Sequence, residues 1–221
     1  MPEIIFDSCV LSNFALAGSL RVIKSLYQGS AFITDFVSQE ILKGIIKGHA
    51  GLTPIREALK DGWLREIVLE SESEKSLFAS LFVSLGSGEA SSLAVAKIRG
   101  FTFACDDKAA RKEADLSGVK LTGTLGVLIK AVREKVLAVE LADKILRKMF
   151  SEGFYSPVSE IRKAINSDQI PPISKKRNTL HEKIQKYAIK TAGTPDDLNP
   201  DLEKAAVIHL SSTSKRIRRR S

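Results

Sequence analysis

Four acidic residues lie where predicted strands end, or about one helical turn beyond, and a fifth opens a predicted helix. Asp106 and Asp107 follow the apolar run "FTFAC", and Asp7 follows "EIIF". Glu40 lies about one turn into the helix expected after "SAFIT", and Glu89 opens the helix expected over "GSGEASSLAVAK". Two carboxylates a few ångströms apart repel by roughly 1 kcal/mol in water and by several times more at a partly buried site. The pair at 106 and 107 therefore requires a bound cation or hydrogen-bond donors.

The segments that carry these acids alternate between strand-like and helix-like patterns. The runs "EIIFDS", "SAFIT", "FTFACDD" and "VKLTG" are β-branched or aromatic, and segments of helical period lie between them. This alternation indicates βαβ units around a parallel sheet, and therefore an α/β fold. Ligands of such sheets gather beyond the carboxyl ends of the strands, so we expect the acids at one edge of the sheet.

A divalent cation is the counter-charge that this set of acids predicts, because few basic residues are interleaved with them. Oxygen ligands without His or Cys suit Mg²⁺ or Mn²⁺, which keep several waters and accept phosphate oxygens. Such ions activate water and stabilise the attacking and leaving oxygens of a phosphodiester displacement. The acids therefore predict a site for Mg²⁺ or Mn²⁺ that offsets their repulsion.

Each acid taken alone also has a structural explanation. An Asp after a strand is often a helix N-cap, which suits Asp7 and one of the pair Asp106 and Asp107. Glu40 suits a solvated helix face, and Glu89 lies where a helix dipole favours any carboxylate. Their concentration at one edge of the sheet favours the metal site over these separate explanations.

Cysteine and histidine offer no competing site at the level of sequence. Cys9 and Cys105 belong to no CxxC pair, so we expect reduced thiols and neither a cysteine-based zinc site nor a disulfide framework. Both lie near strand ends and could come close in the fold. The three histidines are scattered without partners at ligand spacing, which disfavours histidine-based catalysis.

Helix boundaries follow from periodicity and from proline, glycine and capping residues. Pro54 opens a helix that Gly62 closes, and Ser156 with Pro157 is predicted to open "PVSEIRKAIN". Asp35 is the expected cap of the helix that carries Glu40. The segment "TLGVLIKAVREKVL" is the clearest helix, and its predicted apolar face consists of Leu125, Leu128, Ile129, Val132 and Val136.

The chain has 221 residues and a net charge of +8, and the basic excess is concentrated near its end. Residues 168–221 carry 12 basic and 6 acidic residues, whereas 22 and 20 remain in residues 1–167. Composition changes after about residue 166, where a linker with a proline pair begins. We predict a folded domain over residues 1–166 and a basic, partly helical extension over residues 167–221. Its final "SKRIRRRS" is either a solubilising end or a nucleic-acid arm.

The composition also bears on location. Hydrophobic residues make up 43% of the chain, which is enough for a packed core. No apolar run is long enough to cross a bilayer, and "MPEIIFDSCV" lacks the pattern of a secretory signal. We therefore expect a cytoplasmic protein without membrane association.

Five segments of the sequence carry a family resemblance: "FDSCVLSNFA", "VSQEI", "LGSGEASSLAVAK", "CDDKAARKEA" and "TGTLGVLIKA". Together they resemble PIN-domain proteins, in the prokaryotic branch related to VapC-type toxins. The resemblance covers about residues 3–166, and the last three segments in this order and spacing are specific to that branch. It implies a three-layer α/β/α sandwich with a short parallel sheet, and an endoribonuclease that hydrolyses single-stranded RNA.

The resemblance also implies roles for individual residues. Catalytic roles would fall to Asp7, Glu40, Glu89, Asp106 and Asp107. Metal binding, by Mg²⁺ or Mn²⁺, would fall to Asp7, Glu89 and one or both of Asp106 and Asp107. Ser8 and Thr124 match small polar positions that hydrogen-bond the acids or the scissile phosphate. The toxin of a toxin–antitoxin pair would have an antitoxin protein as partner, and PIN relatives are often dimers, so a homodimer is expected.

Three basic residues, Lys108, Arg111 and Lys112, follow the acid pair on the same predicted helix. Lys108 and Arg111 are placed to contact substrate phosphates, which gives affinity without reading sequence. The alternative is a solvated helix face, or pairing with Glu113 and Asp115. Both explanations remain open at the level of sequence.

Two other functional classes compete with the nuclease. A phosphatase with an aspartyl nucleophile also has an Asp after its first strand, but it needs a second Asp two positions later, where this chain has Cys9. A non-catalytic nucleic-acid-binding or assembly module could keep the PIN scaffold without the reaction. The presence of every acid argues against that module, whereas absence of measurable cleavage in the presence of Mn²⁺ would favour it.

Overall fold

The structure is a computed structural model, and it describes residues 2–166. In chain order its elements are β1 (Ile4–Phe6), α1 (Ser8–Leu16), α2 (Arg21–Tyr27), β2 (Ala31–Thr34), α3 (Asp35–Ile46), a 3-10 helix (Ala50–Leu52), α4 (Thr53–Lys60), β3 (Leu64–Ile67), α5 (Glu72–Leu81), α6 (Ser87–Arg99), β4 (Thr102–Ala104), α7 (Lys108–Leu116), β5 (Leu121–Thr122), α8 (Thr124–Arg133), α9 (Val139–Ser151) and α10 (Ile161–Asn166). The predicted basic extension over 167–221, with "SKRIRRRS", lies outside the described residues. Within residues 2–166, no helix has both the length and the apolar character that crossing a bilayer would require.

The strands form one parallel sheet in the order β3-β2-β1-β4-β5. Ile4 of β1 pairs with Ala31 on one side and with Thr102 on the other. The chain order therefore reverses at β1, because β2 and β3 continue on one side of it and β4 and β5 on the other. Open α/β sheets bind ligands at such a reversal, beyond the carboxyl ends of the strands. The residues that follow β1 and β4 lie at this point.

Helices cover both faces of the sheet. Side chains alternate along a strand, so Ile4 and Phe6 face one side while Ile5 faces the other. Helices α1 to α4 and α8 to α10 pack on the side of Ile4 and Phe6. Helices α5, α6 and α7 pack on the side of Ile5 and Phe103. The predicted three-layer α/β/α sandwich with a short parallel sheet is confirmed.

Two predicted helices have different ends in the structure. Helix α8 ends at Arg133, because the chain turns at Lys135, whose φ is 59°, so Val136 lies beyond the helix and is 38% exposed. Helix α10 begins at Ile161 and not at Pro157. The carboxylate of Asp143 accepts the Ile161 N–H at 2.6 Å, so the start of α10 is capped from α9 and not by its own preceding residues.

The cap of α3 is Thr34 and not Asp35. Thr34 Oγ1 accepts the Val37 N–H at 3.3 Å, and Asp35 is the first helical residue, which suits a carboxylate near the positive end of a helix dipole. Strand β3 was absent from the predicted strands. It is an edge strand in which Arg65 and Glu66 are exposed, so its sequence lacks the continuous apolar run of the other strands.

Candidate active site

Asp7 is the most deeply buried of the five acids, with 2% of its surface exposed. It follows β1 and occupies the N-cap position of α1, but its side chain makes no capping hydrogen bond. Oδ2 accepts hydrogen bonds from the thiols of Cys9, at 2.8 Å, and of Cys105, at 3.6 Å. Oδ1 is buried and has no hydrogen-bond partner among residues 2–166. Helix capping therefore does not explain this carboxylate.

The surroundings of Asp7 disfavour its charged form. Burial raises the pKa of the Asp7 carboxyl, and the nearby charge of Glu40 adds to that rise. The thiol of Cys9 and the backbone N–H groups of Ser8 and Cys9 oppose it. An ionised carboxylate that is buried without a partner costs several kcal/mol. A bound divalent cation would offset this cost, and the orphaned Oδ1 is an oxygen ligand for it.

Glu40 reaches from α3 to the start of α6. Its Oε1 accepts the Gly88 N–H at 2.9 Å and the Ser87 hydroxyl at 3.3 Å, and its Oε2 accepts the Ser8 hydroxyl at 2.9 Å. A Cβ at position 88 would lie 2.7 Å from both carboxylate oxygens of Glu40, so only glycine permits this approach without displacing Glu40. Glu40 therefore joins α1, α3 and α6, and is not simply a solvated helix residue.

Glu89 lies in the first turn of α6, beside Glu40. Its Oε2 accepts the Gly86 N–H at 2.8 Å. Burial raises the pKa of the Glu89 carboxyl, the Gly86 N–H opposes the rise, and the charges of Asp7, Asp107 and Glu40 add to it. Glu89 is thus electrostatically coupled to three of the other four acids.

Asp106 follows β4 and faces the start of α8. Its Oδ1 accepts the Thr124 N–H at 3.0 Å, and its Oδ2 accepts the Thr124 hydroxyl at 2.6 Å and the Asn13 amide at 3.2 Å. Asn13 also donates to Thr124 Oγ1 at 3.0 Å, which closes a three-residue network. A Cβ at position 123 would lie 2.4 Å from Asp106 Oδ1, so Gly123 leaves room for this contact.

Asp107 is exposed and caps α7 through Oδ1, which accepts the N–H groups of Ala109 and Ala110 at 2.7 and 2.9 Å. Lys108, the first residue of that helix, is exposed. Arg111 points one nitrogen at the sheet edge, where it donates to the carbonyls of Cys105 and Thr122 at 2.7 and 2.8 Å.

Helix N-termini, and not basic side chains, surround the acids. Glu40 and Glu89 accept N–H groups at the start of α6, Asp107 at the start of α7 and Asp106 at the start of α8. In the part of the chain that the structure describes, none of the five acids forms an ion pair with Lys or Arg. Each helix terminus offers about 0.3–1 kcal/mol to a carboxylate, which offsets only part of the repulsion.

The acids share one edge of the sheet, but they form no closed cage. Over residues 2–166, the group of three potential ligands whose atoms lie within 4.8 Å of one another is Asp7, Cys9 and Cys105. Without a cation, like charges separate and take individual donors. Mg²⁺ binds through one or two carboxylates and keeps several waters, so it does not need a closed cage. The donor set therefore fits a hydrated hard cation.

Several residues of the site were missed by the sequence reasoning. Asn13 is a polar residue of low helix propensity inside the apolar segment "VLSNFAL", and that contrast was the available signal. Gly88 and Gly123 flank predicted site residues, but their need for close approach appears only in three dimensions. The positions of Cys9 and Cys105 near strand ends left it open that they come close, but their shared contact with Asp7 was not predicted.

Comparison with known protein families agrees with this geometry. Residues 3–169 match the family described as PIN domain. Comparison with curated proteins gives no match. PIN domains are in general nucleases that act on nucleic acids with divalent metals. Because the match spans most of the chain, the protein belongs to the PIN-domain family.

Proposed function

We propose that the protein is a metal-dependent endoribonuclease that hydrolyses single-stranded RNA with Mg²⁺ or Mn²⁺. The catalytic residues in this proposal are Asp7, Glu40, Glu89, Asp106 and Asp107. The observation that carries it is the Asp7 carboxylate, which is buried within the electrostatic reach of Glu40. Among residues 2–166 it forms no ion pair and keeps one oxygen without a hydrogen-bond partner. Membership of a family of nucleases supports the class of reaction.

Four acids would hold the ion: Asp7, Glu89, Asp106 and Asp107. When bound, the ion supplies an activated water and stabilises the charge that develops on the phosphodiester oxygens. Asp7 would contribute Oδ1. Asn13 and Thr124 fix the orientation of the Asp106 carboxylate through the hydrogen bonds described above. Each carboxylate oxygen that accepts one hydrogen bond keeps a lone pair for a cation.

Glu40 acts on the site through α6. Its hydrogen bonds with Gly88 and Ser87 hold the first turn of that helix, and Glu89 lies in the same turn. The charge of Glu40 also raises the pKa of Asp7 and Glu89, so it strengthens the negative field that attracts a cation. We therefore expect Glu40 to contribute to activity without binding the ion.

Substrate phosphates would be bound by Ser8, Thr124, Lys108 and Arg111. Lys108 is exposed beside the acid pair, so its ammonium group can reach a phosphate. The Ser8 and Thr124 hydroxyls donate to Glu40 and Asp106, so binding a phosphate would require exchange of those bonds. Arg111 has one nitrogen committed to two carbonyls, and its contribution to phosphate binding would be mainly electrostatic.

The proposed setting is the cytoplasm, where the chain would act as the toxin of a toxin–antitoxin pair with an antitoxin protein as partner. We propose a homodimer of the domain over residues 1–166, with residues 167–221 as a basic extension to it. The net charge of +8 supports an anionic partner such as RNA.

Cleavage of an end-labelled single-stranded RNA by the full-length chain tests the function. We expect cleavage with Mn²⁺ and none with a chelator, and a loss of roughly 10³-fold or more in the variants Asp7→Asn and Glu89→Gln. Glu72→Gln is the matched control, because Glu72 is an exposed carboxylate in the first turn of α5. Circular dichroism checks that each variant is folded. Cleavage that survives Asp7→Asn contradicts the proposal.

A non-catalytic nucleic-acid-binding or assembly module is the second candidate. It is favoured by one observation: Glu40, Asp106 and Asp107 already accept hydrogen bonds from the protein, as structural carboxylates do. The nuclease would cleave the RNA that it binds, whereas the module would bind RNA without cleaving it. RNA that is bound but never cleaved, with Mg²⁺ and with Mn²⁺, would favour the module.

A further inference from the structure

Two thiols converge on the carboxylate of Asp7. Cys9 lies in the first turn of α1 and Cys105 directly follows β4, and both donate to Asp7 Oδ2. One ligand atom from each of the three residues lies within 4.8 Å of the others. Cys105 is fully buried and Cys9 is half-buried, and neither forms a disulfide. The cluster joins the two central strands at the point where the order of the sheet reverses.

Packing alone does not explain this cluster. A buried thiol is usually a small apolar group with a weak donor, and it needs no carboxylate beside it. Here two thiols share one carboxylate oxygen, and the other oxygen of the same buried carboxylate has no partner among residues 2–166. No lysine or arginine of the described chain forms an ion pair with Asp7. The cluster thus has three potential ligands, and no basic side chain of residues 2–166 pairs with its carboxylate.

The donor set matches a softer ion than Mg²⁺ or Mn²⁺. Thiolates favour Zn²⁺, whereas carboxylates and water suit the harder ions. Ligand atoms around a tetrahedral Zn²⁺ with bonds of about 2.0–2.3 Å lie roughly 3.3–3.8 Å apart. The three ligand atoms lie within 4.8 Å of one another. Cys105 Sγ lies 3.6 Å from Asp7 Oδ2, which matches that spacing, and Cys9 Sγ lies 2.8 Å from it, so these two atoms would move apart when the ion binds.

We propose that Asp7, Cys9 and Cys105 form a thiol–carboxylate site for Zn²⁺, with a water as the fourth ligand. Binding replaces the two thiol protons, which pass to solvent, and no oxidation or reduction occurs. The site shares Asp7 with the acids assigned to Mg²⁺ or Mn²⁺, so occupancy by Zn²⁺ excludes the catalytic ion. Zn²⁺ is therefore an inhibitor of the nuclease, and this last step rests on the proposed function.

Co²⁺ is the probe for the site, because cobalt bound to thiolate has a charge-transfer absorption that cobalt bound only to oxygen lacks. We expect this absorption when Co²⁺ is added to the reduced full-length protein, and its displacement by Zn²⁺. Cys9→Ala and Cys105→Ala should each weaken Co²⁺ binding at least tenfold and abolish the thiolate band. Glu89→Gln is the control that removes an acid of the proposed catalytic set and keeps both thiols, so its band should persist.

A second measurement needs no substitution, in case the buried position 105 does not tolerate one. Zn²⁺ should slow alkylation of the wild-type thiols at least tenfold, and an equal concentration of Mg²⁺ should not. Absence of the thiolate band together with equal alkylation rates in Zn²⁺ and Mg²⁺ would overturn the site. Neither readout involves RNA, so failure of the zinc site and failure of the nuclease assignment are distinguishable.

Discussion

Asp7 and Glu74 are carboxylates with equally little exposed surface in opposite electrostatic settings, but Asp7 lies deep in the protein and Glu74 lies near the surface beside Arg99. Each is 2% exposed. Glu74 Oε1 accepts a hydrogen bond from Arg99 Nε at 2.6 Å. Its Oε2 accepts the backbone N–H groups of Glu70 and Ser71 at 2.7 and 2.9 Å. The Arg99 hydrogen bond lowers the pKa of Glu74 to about 2, against the ordinary 4.5, although burial opposes the change. Among residues 2–166, Asp7 accepts hydrogen bonds from two weak thiol donors and pairs with no lysine or arginine, and burial raises its pKa.

The difference separates a compensated carboxylate from the one for which we propose a role in metal binding. Glu74 caps α5 and anchors the Arg99 side chain, so its charge is compensated within the protein. Asp7 is not compensated, and folding must bear the cost of its burial. Strained or unsatisfied groups of this kind concentrate at functional sites. The comparison therefore supports the proposal that a bound cation supplies the charge missing at Asp7.

The largest effect on stability is expected at Arg99. Replacement by methionine (Arg99→Met) leaves the Glu74 charge buried without its cation, so the free energy of unfolding should fall by about 3 kcal/mol. Urea denaturation followed by circular dichroism measures this change. A loss under a few tenths of a kcal/mol would mean that the pair is merely a surface ion pair.

A smaller effect of opposite sign is expected at Asp7. Asp7→Asn removes an uncompensated buried charge, so the free energy of unfolding in a chelating buffer at neutral pH should rise by about 1 kcal/mol. The same denaturation measurement detects it. A destabilised Asp7→Asn protein would show that Asp7 is compensated as Glu74 is, and the contrast between the two carboxylates would fail.

The pH dependence of stability should separate the two carboxylates further. The folded pKa of Glu74 is lowered, so its contribution is fully present above 4.5 and is lost as the pH falls toward about 2. The folded pKa of Asp7 is raised above 3.8, so its contribution favours folding at low pH and is lost as the pH rises through the raised value. Without metal, Arg99→Met should remove the loss of stability that occurs as the pH falls toward about 2. Asp7→Asn should remove the loss that occurs as the pH rises through the raised pKa of Asp7. Urea denaturation of both variants across this pH range measures the two effects.

The placement of the acids was predictable because it depends on a general property of parallel sheets. The apolar runs before Asp7 and Asp106 identified β1 and β4, and chain direction put both carboxylates at the same edge. Edge strand β3 was not predictable in this way, because Arg65 and Glu66 break its apolar pattern. The local pattern of apolar residues thus predicted the central strands and the acids that follow them.

The hydrogen-bond partners of the acids were less predictable, because they come from distant parts of the chain. Asn13 contacts Asp106 across 93 positions, and Ser8 contacts Glu40 across 32. The absence of a CxxC pair, from which we expected no cysteine ligands, concerns only residues that are close together in the sequence. Cys105 meets Asp7 across 98 positions, through the pairing of β1 with β4. Such contacts require the order and register of the sheet, which a single sequence does not supply.

Direct measurement of Mn²⁺ binding tests the central claim that the charge missing at Asp7 is a divalent cation. Electron paramagnetic resonance of free Mn²⁺, titrated with the full-length protein, reports binding without any substrate. We expect saturable binding to the wild type and to Glu72→Gln, and at least a tenfold weaker affinity in Asp7→Asn. Wild-type protein that binds no Mn²⁺, or an Asp7→Asn protein that binds it equally well, would contradict the account.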